Sequence, residues 1–125
     1  MKGMEIRIKA TDYEITSEVS AYLDERIAAL EKFLSGDSEI TRCEVEIGRD
    51  AGGSRHGANM WFAEIRVLQP GMRQVYARNN AESINEAIND VKEEVERQLR
   101  QEKKLHIRLM RKTGAAVKSW MRWGE

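Results

Sequence analysis

One cysteine in 125 residues leaves no internal disulfide to form. Cys43 stands in an apolar alternation with Thr41, Val45 and Ile47, the setting of a buried thiol rather than a reactive one. His56 sits in a glycine-rich stretch and His106 near the end. With one cysteine they cannot assemble a tetrahedral sulfur-and-histidine metal site, and neither HExxH nor CxxC occurs. No metal and no cofactor is expected. Long apolar runs are also absent: nothing approaches the roughly 20 residues of a bilayer-crossing helix. Residues 1–9 carry Lys2, Glu5, Arg7 and Lys9 where a secretory leader would be apolar. A soluble cytoplasmic protein without a membrane partner is therefore expected. GxxxxGK[ST] is missing, and the glycines of residues 48–58 (GRDAGGSRHGA) lack a strand-to-helix context, so this stretch reads as a flexible hairpin loop rather than a nucleotide site. Ser17, Ser20 and Ser83 lie at helix beginnings, where local backbone bonding explains a hydroxyl better than nucleophilic use. With no convergent set of reactive groups, the chain does not read as an enzyme.

Net charge is absent too, but only in the sum. From Arg100 to the end, eight lysines and arginines (Arg100, Lys103, Lys104, Arg108, Arg111, Lys112, Lys118, Arg122) stand against Glu102 and Glu125, a balance of +6, so residues 1–99 carry −6. An acidic body with a basic extension suggests an anionic partner for the extension.

What is present is strong periodicity. Ile84, Ala87, Ile88, Val91, Val95 and Leu99 recur at three- and four-residue spacings within a helix predicted over Asn80–Leu105, with Asn79 or Asn80 as N-cap and Lys103 and Lys104 near its end. Such a stripe must lie on other elements. Met4, Ile6, Ile8 and Ala10 alternate with Glu5, Arg7 and Lys9 as a first strand. Thr16 is the predicted N-cap of a helix over Ser17–Leu34, with Val19, Leu23, Ile27, Leu30 and Leu34 as its apolar stripe. Cys43, Val45 and Ile47 mark the inward face of a second strand, and Trp61, Ala63, Ile65 and Val67 that of a third, with Phe62, Glu64 and Arg66 opposite. Pro70 and Gly71 form a turn signal, and a fourth strand is expected over Met72–Arg78. The order β-α-β-β-β-α is an α+β fold. It is solved by placing both helices on one face of a four-stranded mixed sheet, with strands one and two parallel and the rest an antiparallel meander. The opposite face, with Arg7, Lys9, Arg42, Glu44, Glu46, Glu64, Arg66, Tyr76 and Arg78, reads as solvated.

Residues 1–105 thus form one domain, and residues 106–125 a basic tail containing tryptophan. In the tail, Val117, Trp120 and Met121 suit a short amphipathic helix, and Trp123 follows. Tryptophans among Lys118 and Arg122 suit stacking on bases or burial in a partner groove. Hence one alternative function is a protein-interaction module anchored by Trp120, Met121 and Trp123.

Several short strings, in order, resemble a known family: EIT at Glu14–Thr16 ahead of the first helix, LEK plus an aromatic at Leu30–Phe33, AIN at Ala87–Asn89, and RQL at Arg97–Leu99 before a lysine-rich end. The chain resembles the bacterial ribosome hibernation-promoting and ribosome-associated inhibitor proteins, also called ribosomal subunit interface proteins, in their short form. The resemblance implies a fold similar to a double-stranded RNA-binding domain. It also implies a stoichiometric factor, monomeric when free, that binds the small subunit and the 70S ribosome through 16S ribosomal RNA, not DNA. Such a factor occupies the messenger and transfer RNA channel and blocks translation in idle cells. The family's phosphate-contacting roles fall here on Arg26 and Lys32 in the first helix and on Arg97, Lys103 and Lys104 in the second. Helix geometry adds Lys92 and Arg100, and the basic tail adds Arg108, Arg111 and Lys112. Two positions depart from the family: Glu94 stands where a lysine is usual in the second helix, and Ala29 replaces a lysine common in the first.

Overall fold

The computed structural model describes residues 4–34, 41–50 and 60–124, apart from the side chains of 110 and 112–124. Four strands, β1 (Glu5–Thr11), β2 (Arg42–Arg49), β3 (Trp61–Leu68) and β4 (Val75–Ala81), form one sheet in the order β1-β2-β3-β4. β1 is parallel to β2, and the other two pairings are antiparallel. Helix α1 (Ser17–Ala28) follows β1, and helix α2 (Ile84–Gly124) follows β4. The predicted order, mixed sheet and shared helix face are all present.

Alternation and helical spacing meet in one core. Ala87, Ile88, Val91, Val95 and Leu99 of α2 are fully buried with Cys43, Val45 and Ile47 of β2, Ala63, Ile65 and Val67 of β3, and Leu23, Ile27 and Leu30 from the α1 side. Burying each large apolar side chain contributes about 1.5–3 kcal/mol, whereas an exposed ion pair contributes about 0–1 kcal/mol. The apolar stripes therefore decide how the layers stack. Cys43 is fully buried among them, and its thiol is pushed up to about 12, first by burial and then by Glu44. A thiol held protonated is not a nucleophile. At pH 8, a thiol-specific reagent is expected to label Cys43 only in denaturant; fast labelling of folded protein would contradict the packing.

Local signals explain several ends. The Thr16 side chain accepts a hydrogen bond from the Val19 amide at 3.1 Å and caps α1, as predicted. The Met72 amide donates to the Gln69 carbonyl at 3.1 Å, closing the Pro70-Gly71 turn, and Gly71 has the positive φ of 75° that such a turn requires.

Other boundaries differ from expectation. α1 ends at Ala28 rather than Leu34, because the Leu30 amide bonds to Ile27 and a 3-10 turn follows over Glu31–Phe33. The tighter turn puts residues three apart on one side, which keeps Leu30 buried and brings Phe33 against the core. Gly48 and Arg49 belong to β2, not to the loop; the rest of that loop lies outside the described residues.

β4 starts later than predicted and runs through Asn79, Asn80 and Ala81, whose alternation continues with Ala81 buried. The asparagines do not cap α2: Asn79 donates to Asp90 at 3.0 Å and Asn80 to Asp50 at 2.9 Å. The cap is Ser83, whose hydroxyl accepts from the Glu86 amide at 3.2 Å. α2 does not stop near Leu105. No proline follows Pro70, and the interior glycine at 114 costs about 1 kcal/mol in a helix, too little to end it.

The opposite sheet face is more ordered than a merely solvated one. Phe62 points there by strand parity yet is buried, with the Arg78 guanidinium 4.1 Å from its ring centre. Arg78 also bonds to Glu64 at 3.1 Å and Asp50 at 3.2 Å. These groups pair the face's charges with one another.

Candidate nucleic-acid interface

α2 is amphipathic in charge as well as in hydropathy. A turn of 3.6 residues places Arg97, Arg100, Lys104, Arg108 and Arg111 on one side, and all five are exposed. At 1.5 Å per residue they follow one another at about 4.5–6 Å along the axis. The preceding turns of the same face carry Glu86, Asp90 and Glu93, also exposed. One helix face therefore changes sign along its length, acidic towards the N-terminus and basic beyond Glu94, the order the helix dipole favours.

The basic half receives cations from the α1 side. Lys32, in the 3-10 turn, and Arg100, on α2, approach the same Phe33 ring at 5.4 and 5.8 Å. This partly buried ring fixes the distance between the two elements, so Lys32 and the α2 row share one surface. Arg26, in the last turn of α1, lies 4.9 Å from the Tyr22 ring centre, and its buried Nε has no hydrogen-bond partner among the described residues.

Not every cation singled out from the sequence is available. The Lys92 ammonium is 2.7 Å from Glu96, and its side chain is only 12% exposed, so it neutralises a carboxylate instead of facing solvent. The hydrogen bond from Lys92, together with the charges of Lys92, Arg100 and Lys32, holds the Glu96 carboxyl below the usual range. Arg97 is half exposed but engaged with Glu94 at 2.5 and 3.1 Å. Lys103 is half-buried and Lys104 exposed. Lys112, Lys118, Trp120, Arg122 and Trp123 fall within α2, but their side chains lie outside the described residues.

Glu94 has a place that residue spacing does not reveal. It accepts from Arg97 and, at 2.9 Å, from Gln98. Those two hydrogen bonds pull its carboxyl down to about 2, so it is ionised throughout the neutral range. The oriented Gln98 carboxamide in turn bonds both backbone groups of Tyr76 in β4, donating to the carbonyl at 3.1 Å and accepting from the amide at 3.3 Å. A carboxylate where a phosphate-binding lysine was looked for thus ties the helix to the sheet edge. The Gln98 clamp was missed because its partner is 22 residues away and is a backbone group.

Among the described residues, no group of three or more histidine, cysteine, aspartate or glutamate side chains is placed to hold a metal ion. No helix in the described residues is long and apolar enough to cross a membrane.

No curated protein matches the chain. Among solved structures, the N-terminal domain of Thermus thermophilus Protein Y is similar, with a TM-score of 0.60 and 20% identity over 79% of this chain and 97% of that one. A ribosomal subunit interface protein from Coxiella burnetii is similar with a TM-score of 0.60 and 13% identity, over 78% and 96% of the two chains. At those identities the likeness establishes the fold. The sequence itself matches the family described as Sigma 54 modulation protein / S30EA ribosomal protein over residues 6–106, from the first strand into α2 as far as His106, ahead of Arg108 and Arg111. The chain belongs to the Sigma 54 modulation protein / S30EA ribosomal protein family.

Proposed function

We propose that the chain is a stoichiometric, cytoplasmic ribosome-binding factor that occupies the messenger and transfer RNA channel of the small subunit through 16S ribosomal RNA and silences idle ribosomes. The observation that carries this reading is the row of exposed cations from Arg100 to Arg111 on one face of α2, joined by Lys32 across the Phe33 ring. A straight helical row of charge meets phosphates by position rather than by base identity. The acidic turns ahead of it repel phosphate and set where along α2 the RNA can lie. Lys104, Arg108 and Arg111 reach the phosphates directly, Lys103 flanks them, and Arg26 adds its charge from the last turn of α1. The action is steric: occupancy excludes messenger and transfer RNA, and no bond is made or broken.

Family membership, the fold shared with a ribosomal subunit interface protein, and this charge distribution support the reading together. Its test is co-sedimentation with small subunits and 70S ribosomes across a salt series, with and without messenger and initiator transfer RNA. Saturable binding is expected that weakens steeply with salt and is displaced by those RNAs. Binding that ignores the RNAs would place the protein outside the channel. A shallow salt dependence would instead favour a protein partner for the tryptophan-bearing end.

A further inference from the structure

The two edges of the sheet are treated differently. At the β4 edge, α2 supplies the Gln98 carboxamide, which occupies both the N–H and the C=O of Tyr76 and is itself held by Glu94. At the β1 edge no such cover exists among the described residues. The Glu5 amide donates to the Thr41 carbonyl at 2.9 Å, which points the backbone groups of Glu5, Arg7 and Lys9 towards β2. Those of Ile6, Ile8 and Ala10 consequently point outward from the sheet.

The side chains at this edge are equally open. Ile6 and Ile8 pair in register with Cys43 and Val45, which are buried, yet they are themselves 44% and 40% exposed. Among the described residues α2 lies over β3 and β4 and reaches β2, with α1 beside it, and neither helix packs broadly on the outer strand. Natural edges are usually blunted by proline, a bulge or an inward-pointing charge. β1 has none of these: its inward positions, Met4, Ile6, Ile8 and Ala10, are all apolar. Only the outward-facing Glu5, Arg7 and Lys9 are charged, and they carry both signs.

Those charges identify the occupant. We propose that β1 pairs with β1 of a second copy of this chain, antiparallel about a twofold axis through Ile6, to give a continuous eight-stranded sheet. In this register Ile6 faces Ile6, Ile8 faces Met4, and Glu5 faces Arg7 of the second copy on both sides of the axis, so apolar meets apolar and each charge meets its opposite. Glu5 and Arg7 already pair within one chain at 3.2 Å, both more than half exposed, and exchanging that contact for the other copy's leaves the 3.8 Å Glu5–Arg42 pair in place. The next register, centred on Arg7, would set Arg7 against Arg7. The dimer leaves the basic face of α2 uncovered, and the proposal does not depend on the ribosomal reading. It replaces the expectation of a monomer with a concentration-dependent equilibrium. Only Met4 to Ile8 of the two copies face each other in this register, a seam smaller than the roughly 1,200 Å² at which stable interfaces begin, so a dissociation constant of about 10–100 μM is expected.

Sedimentation equilibrium of the full chain from about 1 to 500 μM, bracketing that range, tests this. The average mass is expected to rise from 14.4 kDa towards twice that value. Ile8→Lys, at an exposed position, should stay monomeric at every concentration while keeping the wild-type circular dichroism. Glu5→Lys and Arg7→Glu should each weaken association at least about tenfold, and the double exchange should restore it, because only this register swaps the two charges against each other. A wild-type chain that stays monomeric throughout overturns the proposal. So does an Ile8→Lys variant that dimerises like wild type, or failure of the double exchange to recover. Association lost instead in Ile107→Gln/Leu109→Gln would assign it to the exposed apolar residues of α2 and equally overturn the β1 seam.

Discussion

Replacing Arg100, Lys104 and Arg108 together by glutamate is expected to lower affinity for the small ribosomal subunit by about 1,000-fold near physiological salt, at about 1.5 kcal/mol for each charged contact removed. The plot of log affinity against log salt should also flatten, by about 2–3 in slope, because three fewer counterions are released from RNA. All three side chains are exposed, so the fold should survive, with the 3.5 Å Arg100–Glu96 pair and the Arg100 contact with the Phe33 ring lost. Lys9→Gln, an exposed cation on the far sheet face, is the matching control and should change affinity less than about twofold. Wild-type affinity in a folded triple variant would remove the α2 face from the interface. A uniform loss with an unchanged salt slope would mean that the substitutions act on protein stability rather than on phosphate contacts.

Gly48→Ala should be the most damaging single-methyl change in the sheet. A Cβ at residue 48 would lie 2.0 Å from the carbonyl oxygen of Thr11, a backbone atom of the neighbouring strand that cannot rotate away. Thr11 and Gly48 are the last pair of the β1–β2 register, so relieving the clash means parting the strands where β1 ends. Overpacking against side chains costs about 1–3 kcal/mol. Against backbone we expect about 3 kcal/mol or more, a fall of roughly 10 °C or more in melting temperature. Gly71→Ala is the useful comparison. Nothing lies within 4 Å of its added Cβ, and only the positive φ opposes it, at about 1–2 kcal/mol. Chemical denaturation of both variants checks the order; equal losses would mean that the close approach at Gly48 is not maintained in solution.

The candidate interface was partly legible in residue types. The spacing of the apolar stripe predicts that Arg97 and Arg100 face away from the core, and they do. Spacing could not say which of them are already engaged. Helix geometry adds Lys92 to the row, yet it is committed to Glu96 and largely buried. Glu94 looked like a repulsive substitute for a lysine, whereas in the fold it neutralises Arg97 and steers Gln98 to the β4 edge. Charge identity is written in the sequence. Charge pairing depends on rotamers and on the elements alongside.

By itself the sequence determined the element types, their order and the composition of the core. Each of those rests on short-range periodicity: alternation in the strands, the Val91-Val95-Leu99 spacing in α2, the Thr16 cap, the Pro70-Gly71 turn. The family strings, likewise local, all lie within the match that covers residues 6–106. Only the tertiary structure decided that Ile6 and Ile8 stay exposed although their alternation resembles that of Val45 and Ile47. Only it buried Phe62 beneath Arg78, set Gly48 against Thr11, and gave one sheet edge a clamp while leaving the other open. The physical reason is the same in each case. A hydropathy period tells which face of an element is apolar, but whether that face is covered depends on segments tens of residues away, and a strand at the edge of a sheet has the same alternation as one in its middle.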